Sequence, residues 1–224
     1  MILGAVGIAL LINLNRDVDS YMDEIFHVPQ AQRFCSGDFS NYDPKITTPP
    51  GLYIVSLLMY KSIGIFSDRI ECSTTFLRGT NGIISLGILP MLYLLRLELY
   101  PPPKGRHSGT TGGGTSNAKN QEVEVDRLHI LHSAVVFMYP ISVFFYALYY
   151  TDSAALLMFF TTYYMSLLET HQVRETNAAP SLILSFLSKI VLFLSSSLAI
   201  LARQTNAVWL MFIFGKIFAF CNYL

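Results

Sequence analysis

From Phe76 to Phe220 the chain consists of apolar runs cut by short, strongly polar punctuation. The runs are Phe76 to Tyr100, Leu128 to Tyr150, Ala154 to Leu168, Leu182 to Leu201 and Ala207 to Phe220. The cuts are Pro101-Pro102-Pro103, Thr151-Asp152-Ser153, a polar turn from Glu169 to Pro180, and Arg203-Gln204-Thr205-Asn206. A helix needs about 20 predominantly apolar residues to cross a bilayer, and a helix satisfies its own backbone hydrogen bonds where no water is present. The pattern therefore predicts an all-α, polytopic integral membrane protein. A soluble domain needs polar surface to cover its core, and at 52% hydrophobic residues with a mean hydropathy of +0.45 this chain does not have it. Lys+Arg 15 and Asp+Glu 15 balance to zero. That leaves no basic field to recruit nucleic acid and no polybasic stretch for anionic lipid.

The rest of the chain fits the same reading. Met1 to Leu14 is apolar but short for a crossing, and it lacks the basic start and small-residue cleavage site of a signal peptide. It is read as a membrane helix shortened at its start. Leu52 to Phe66 is interrupted by Lys61 and falls in the length class of interfacial segments. Residues 101–127 read as a Gly/Ser/Thr/Asn linker, disordered and without packing residues before Val123. Cys35, Cys72 and Cys221 are too few and too widely spaced for a disulfide framework or a zinc cluster. A Cys35 to Cys72 bridge requires both to lie on an oxidising face, and buried free thiols are the common alternative in apolar proteins.

Tyr21 to Gly51, YMDEIFHVPQAQRFCSGDFSNYDPKITTPPG, is the long polar passage of mixed composition. Asp23 and Glu24 are adjacent and flanked by Tyr21, Phe26 and His27. Neighbouring carboxylates repel, so one of them can keep a raised pKa and accept a proton; the plain alternative is a helix start, where the dipole favours acids. Arg203 stands at a run boundary beside Gln204 and Asn206. Its planar donor fork suits phosphate, and its alternative is to snorkel to lipid headgroups. Asp152 can orient Arg203 or a substrate, or cap a helix beginning near Ser153. His27 has no second His or Cys at ligand spacing, so no metal site is expected. Tyr139, Tyr146, Tyr149, Tyr150, Tyr163 and Tyr164 can form a sugar platform or simply mark the membrane interface. The middles of the runs lack charge except at Lys189, which argues against a transporter or channel.

Three strings carry a resemblance: MDEIFHVPQAQRFC followed by YDPKITTPPGLY, then LYYTDSAALLMF (Leu148 to Phe159), then RQTNAVW (Arg203 to Trp209). Together, and in this order, they resemble the dolichyl-phosphate-glucose-dependent α-1,2-glucosyltransferase family of the endoplasmic reticulum. The resemblance covers nearly the whole chain outside the linker and the Glu169 to Pro180 turn. It implies a GT-C-type architecture, one transmembrane domain over residues 1–224 forming the N-terminal part of a longer enzyme, and a first lumenal loop (residues 16–66) bearing membrane-parallel helices. It implies transfer of glucose from dolichyl phosphate glucose to the diglucosylated lipid-linked oligosaccharide, among endoplasmic reticulum lipids, without cofactor or metal and with the active site facing the lumen. Asp23, with Glu24 second, becomes the base. Arg203, Gln204 and Asn206 become donor-phosphate ligands, and Asp152, Tyr21 and His27 orient the substrates. Related mannosyl and α-1,3-glucosyl transferases share the acid pair but not RQTN.

Parity links these motifs to topology. If Leu52 to Phe66 crosses, Asp152 and Arg203 fall opposite the acid pair; if it lies along the interface, all three motifs share one face. The second arrangement lets the charges converge on one cavity. The positive-inside rule runs the other way, since it leaves Lys61, Arg69 and Arg78 on the lumenal side. Single cysteines at positions 38, 152 and 204 are expected to be protected from an impermeant thiol reagent in sealed microsomes, while position 112 labels. Labelling of 38 and 152 from opposite faces would overturn the shared face.

Overall fold

The computed structural model describes residues 2–14, 16, 18–66, 71–101, 115–175 and 182–222, and every regular element among them is helical. The helices are α1 (Ile2–Leu14), α2 (Glu24–Cys35), α3 (Gly51–Gly64), α4 (Thr74–Leu86), α5 (Ile88–Leu99), α6 (Thr115–Phe137), α7 (Pro140–Ala147), α8 (Thr151–Glu175), α9 (Leu182–Ala202) and α10 (Asn206–Asn222). By length and composition two described stretches can cross a membrane, Thr74–Leu99, which joins α4 to α5, and Ser185–Ala202 in α9. A third crossing is available if α6 and α7 form one broken span, bent by 62°. The break follows from Pro140, which lacks an amide N–H and forces extended backbone on the residue before it; Tyr139 accordingly sits at φ −58°, ψ 128°.

Two sequence expectations need correction. The linker reading extends too far, because α6 already begins at Thr115. Its first turns are rich in good helix formers (Ala118, Lys119, Gln121, Glu122, Glu124) and contain neither Gly nor Pro. The glycine-rich residues 102–114 lie outside the described residues. Similarly, α8 continues through Glu169 to Glu175, so the first seven residues of the expected turn are helical, and residues 176–181 lie outside the described residues.

Helix α1 packs along α4, and Gly82 allows the approach, because a Cβ there would lie 2.8 Å from Ile12 Cδ1 and 2.9 Å from Ile8 Cγ2. Arg78, in the second turn of α4, donates to the carbonyls of Val18 and Asp19, just past the end of α1. The chain between them, including α2 and α3, thus leaves and re-enters the bundle at one end. A Cys35–Cys72 disulfide joins the end of α2 to the approach of α4, with Cα atoms 6.4 Å apart. Leu52 and Tyr53 of α3 are fully buried against Val28, Ala31, Leu77 and Tyr149, and the small residues Ala154, Ala155 and Ala202 line the same core.

Helix α3 starts directly on the end of α9. A Cβ at Gly51 would stand 2.5 Å from the Leu201 carbonyl oxygen and 2.8 Å from the Ala202 nitrogen, both backbone atoms that cannot swing aside. Gly51→Ala is expected to lower stability by about 1–3 kcal/mol, the usual cost of overpacking. Gly64→Ala, which meets nothing within 4 Å, serves as the control. Thermal unfolding in detergent checks this, and equal melting of both variants would refute the close contact.

Candidate active site

The sequence of α2 places Asp23 and Glu24 on either side of a helix start, and the fold separates them completely. Met22 adopts φ 52°, a left-handed turn uncommon for a residue with a side chain. It turns Glu24 inward and leaves Asp23 outside. Glu24 is 0% exposed. Its Oε1 accepts from Arg78 Nε at 3.0 Å and from the Tyr149 amide at 2.7 Å. Its Oε2 accepts from Arg78 Nη2 at 2.7 Å and from the Tyr21 amide at 3.1 Å. Burial alone would raise the Glu24 carboxyl, but the Arg78 hydrogen bonds and the two backbone donors outweigh it and hold the group below its ordinary range. The sequence argument allowed a raised carboxyl within the pair; Glu24 is not that group.

Asp23 is exposed, and its amide N–H donates to the Tyr150 hydroxyl at 2.8 Å. The α7–α8 junction therefore grips both members of the pair, Glu24 through the backbone of Tyr149 and Asp23 through the ring of Tyr150. The junction itself is shaped by Asn81 of α4, whose Nδ2 donates to the Leu148 carbonyl at 2.5 Å and to the Phe145 carbonyl at 3.0 Å.

Two residues further on, Asp152 forms an ion pair with Arg203. Because α8 starts at Thr151, Asp152 lies inside the first turn and is not the cap. The two side chains are 38% and 44% exposed, so the pair stands at the mouth of a cavity and not within the core. This cavity, about 590 Å³, is lined by Phe145, Asp152, Arg203, Thr205, Asn206 and Trp209. Arg203 gives one Nη to Asp152, and its other donors have no partner among the described residues.

The fold thus brings all three polar motifs to residues 149–152, though not every member in an open role. The Asn206 amide donates to the carbonyls of Ala199 at 3.0 Å and Ala155 at 3.3 Å, tying α10 to α9 and α8. Gln204 is exposed beside Arg203. Tyr21 presents its ring edge-on to Phe144. His27 is buried, with Nδ1 2.5 Å from the Tyr53 hydroxyl and its ring edge-on to Tyr150. Burial lowers its pKa despite the opposing charges of Asp23 and Glu24, so the imidazole is a neutral packing partner. The six tyrosines do not form one platform. Tyr149 is buried with its hydroxyl 2.7 Å from Ser56 Oγ, and Tyr146 is stacked on Phe137. Sequence reasoning missed Arg78 as a site residue. Its signal was its placement: an arginine at the head of an apolar helix that counts against the positive-inside rule requires a partner.

The sequence profile of the DIE2/ALG10 family matches residues 18–222, a span that takes in the acid pair, the junction and Arg203. The chain belongs to the DIE2/ALG10 family. It is 36% identical over 208 residues to a human protein named Dol-P-Glc:Glc(2)Man(9)GlcNAc(2)-PP-Dol alpha-1,2-glucosyltransferase, covering 90% of this chain and 36% of that protein. Relatives of the same name are 33% identical in Arabidopsis thaliana (87% of this chain, 32% of the relative) and 30% identical in Neurospora crassa (88% and 22%). The chain spans about a third or less of the length of these relatives. No solved structure matches it. Within the family match, membership and fold agree: a polytopic helical membrane protein.

A buried ion pair that loses one member leaves an unpaired charge behind, at a cost of about 3–5 kcal/mol. Glu24→Gln and Arg78→Met are each expected to destabilise strongly, and the double variant less than their sum. Because the folded pKa of Glu24 is depressed, its contribution is fully present above the ordinary value of 4.5 and disappears as the pH falls through the folded value. Acid unfolding of the parent should therefore be steeper below 4.5 than that of Glu24→Gln. Additive losses, or identical acid profiles, would show that the pair is not coupled.

Proposed function

We propose that this chain carries the base and the phosphate ligand of a transferase that moves glucose from dolichyl phosphate glucose to the diglucosylated lipid-linked oligosaccharide, making the terminal α-1,2 bond of the N-glycan precursor. The observation that carries this reading is the α7–α8 junction, which holds Asp23 on one side and Arg203 on the other. The names of the relatives supply the substrates. Asp23, exposed and anchored only through its backbone, takes the proton from the acceptor hydroxyl. The hydroxyl oxygen bonds to the anomeric carbon as the bond to the donor phosphate breaks, and the leaving electron pair goes out on the dolichyl phosphate. Arg203 stabilises that charge with the donors Asp152 leaves free. Going from a β-linked donor to an α product, one displacement inverts the centre and forms no glucosyl-enzyme. Glu24 anchors this arrangement, and Gln204 and Tyr21, both exposed, adjoin Arg203 and the acid pair in the chain.

The polar end is proposed to face the lumen of the endoplasmic reticulum, with α2 and α3 lying along the membrane in a GT-C-type plan. The Cys35–Cys72 disulfide supports this, because disulfides persist in oxidising compartments. Arg78 also ceases to argue against it, since its charge is neutralised by Glu24 and is not a loop cation.

The test is glucose transfer in microsomes with these substitutions in the intact enzyme. Asp23→Asn keeps shape and removes the proton acceptor, so turnover should fall by about 10² to 10⁴ with donor binding little changed. Arg203→Lys keeps charge but loses the fork, and should fall substantially, with Arg203→Gln lower still. Normal turnover in well-folded Asp23→Asn would remove Asp23 from the chemistry.

A further inference from the structure

A second cavity, about 520 Å³, opens between α5, α6, α8 and α10. It shares the lining residues Phe159 and Trp209 with the cavity at Arg203. Its walls are hydrocarbon and aromatic, with Leu92, Val136 and Phe212 among them. Arg96 of α5, His132 of α6 and Lys216 of α10 also line it, and among the described residues no carboxylate does. Arg96 lies over the Tyr100 ring, 5.1 Å from its centroid, and its buried Nε has no hydrogen-bond partner among the described residues. Among the described residues neither Arg96 nor Lys216 has a carboxylate partner.

The position is remote from the proposed chemistry. Lys216 lies ten residues along α10 from Asn206, about 15 Å at 1.5 Å per residue. Arg96 lies 22 residues beyond Thr74 in the α4–α5 span, about 33 Å. Cations facing an apolar cavity at membrane depth are costly unless an anion or headgroup satisfies them. A polyprenyl chain entering from the Arg203 side would fill the walls and leave these cations unanswered, because its single phosphate belongs at the other end.

We propose that this cavity is a site for an anionic glycerophospholipid of the leaflet opposite the polar end. Arg96 and Lys216 hold its phosphate, with the His132 ring N–H adding a donor, while an acyl chain lies on Leu92, Val136 and Phe212. The sequence shows no polybasic stretch; the fold gathers the three groups from three separate helices. An anionic head over a hydrocarbon body matches the cavity in both charge and lining. The inference is independent of the transferase reading, because its test measures lipid retention and not glucose transfer.

The experiment is native mass spectrometry of the full chain released from mixed bilayers of phosphatidylinositol and phosphatidylcholine. Phosphatidylinositol should be retained at least about tenfold over phosphatidylcholine, which carries the same phosphodiester but whose choline cation offsets its charge and is repelled by Arg96 and Lys216. Arg96→Gln with Lys216→Gln should bring the two lipids near parity, and Arg96→Lys with Lys216→Arg should keep most of the preference. Val136→Trp fills the cavity without altering charge and should also abolish retention. If the neutralised variant fails to fold, Val136→Trp decides alone. Equal retention of both lipids by the parent, full selectivity in Val136→Trp, or displacement of the lipid by millimolar inorganic phosphate would each overturn the proposal, the last by making it a soluble-phosphate site.

Discussion

The polar end of the bundle depends on the buried pair of Glu24 and Arg78. A carboxylate and a guanidinium removed from water are tolerated only when every lone pair and proton finds a partner, and here the partners come from four places in the chain. Arg78 reaches back to the carbonyls after α1, Glu24 receives the amides of Tyr21 and Tyr149, and the two meet through a bidentate contact. One interaction thereby sets the exit of α1, the start of α2, the head of α4 and the entry of α8. The apolar helices beneath could slide against one another at small cost, since burial is non-directional. The ion pair cannot, because its geometry is directional.

Around that pair the fold uses close approach in place of bulk. Gly82 lets α1 lie against α4, Gly51 seats α3 on the backbone of α9, and Ala154, Ala155 and Ala202 keep the α8 and α9 ends near the core. Small residues at helix contacts are the usual means of packing within a membrane, where lipid is as apolar as the side chains and dispersion and hydrogen bonds must supply the attraction. The Thr162 to Ser195 hydrogen bond of 2.9 Å between α8 and α9 belongs to the same economy. Residues 149–152 thereby make contact with an exposed acid through Tyr150 and with a half-exposed arginine through Asp152.

The adjacent carboxylates show how much a motif leaves open. As letters, Asp23 and Glu24 are equivalent, and the argument from repulsion applies to either. In the structure one is enclosed with its charge stabilised and the other is exposed, so the pair divides into a buried anchor and an accessible carboxylate, the one proposed as the base. RQTN divides likewise: Arg203 faces a cavity, whereas Asn206 holds three helices together by their carbonyls.

The sequence by itself determined the fold class, because the length and spacing of the apolar runs admit helices in a bilayer and little else, and it determined the family, because three strings in fixed order are specific. It also located the polar motifs to the residue, since charges in such a chain are few. Only the tertiary structure decided that Cys35 meets Cys72, that Arg78 belongs to Glu24, that the residues 115–127 are helical and not linker, and that Arg96, His132 and Lys216 share a cavity. The physical reason is the same in each case. Periodicity and composition are local and survive in the sequence, whereas a salt bridge, a disulfide or a shared pocket joins residues tens of positions apart through distances that only packing sets.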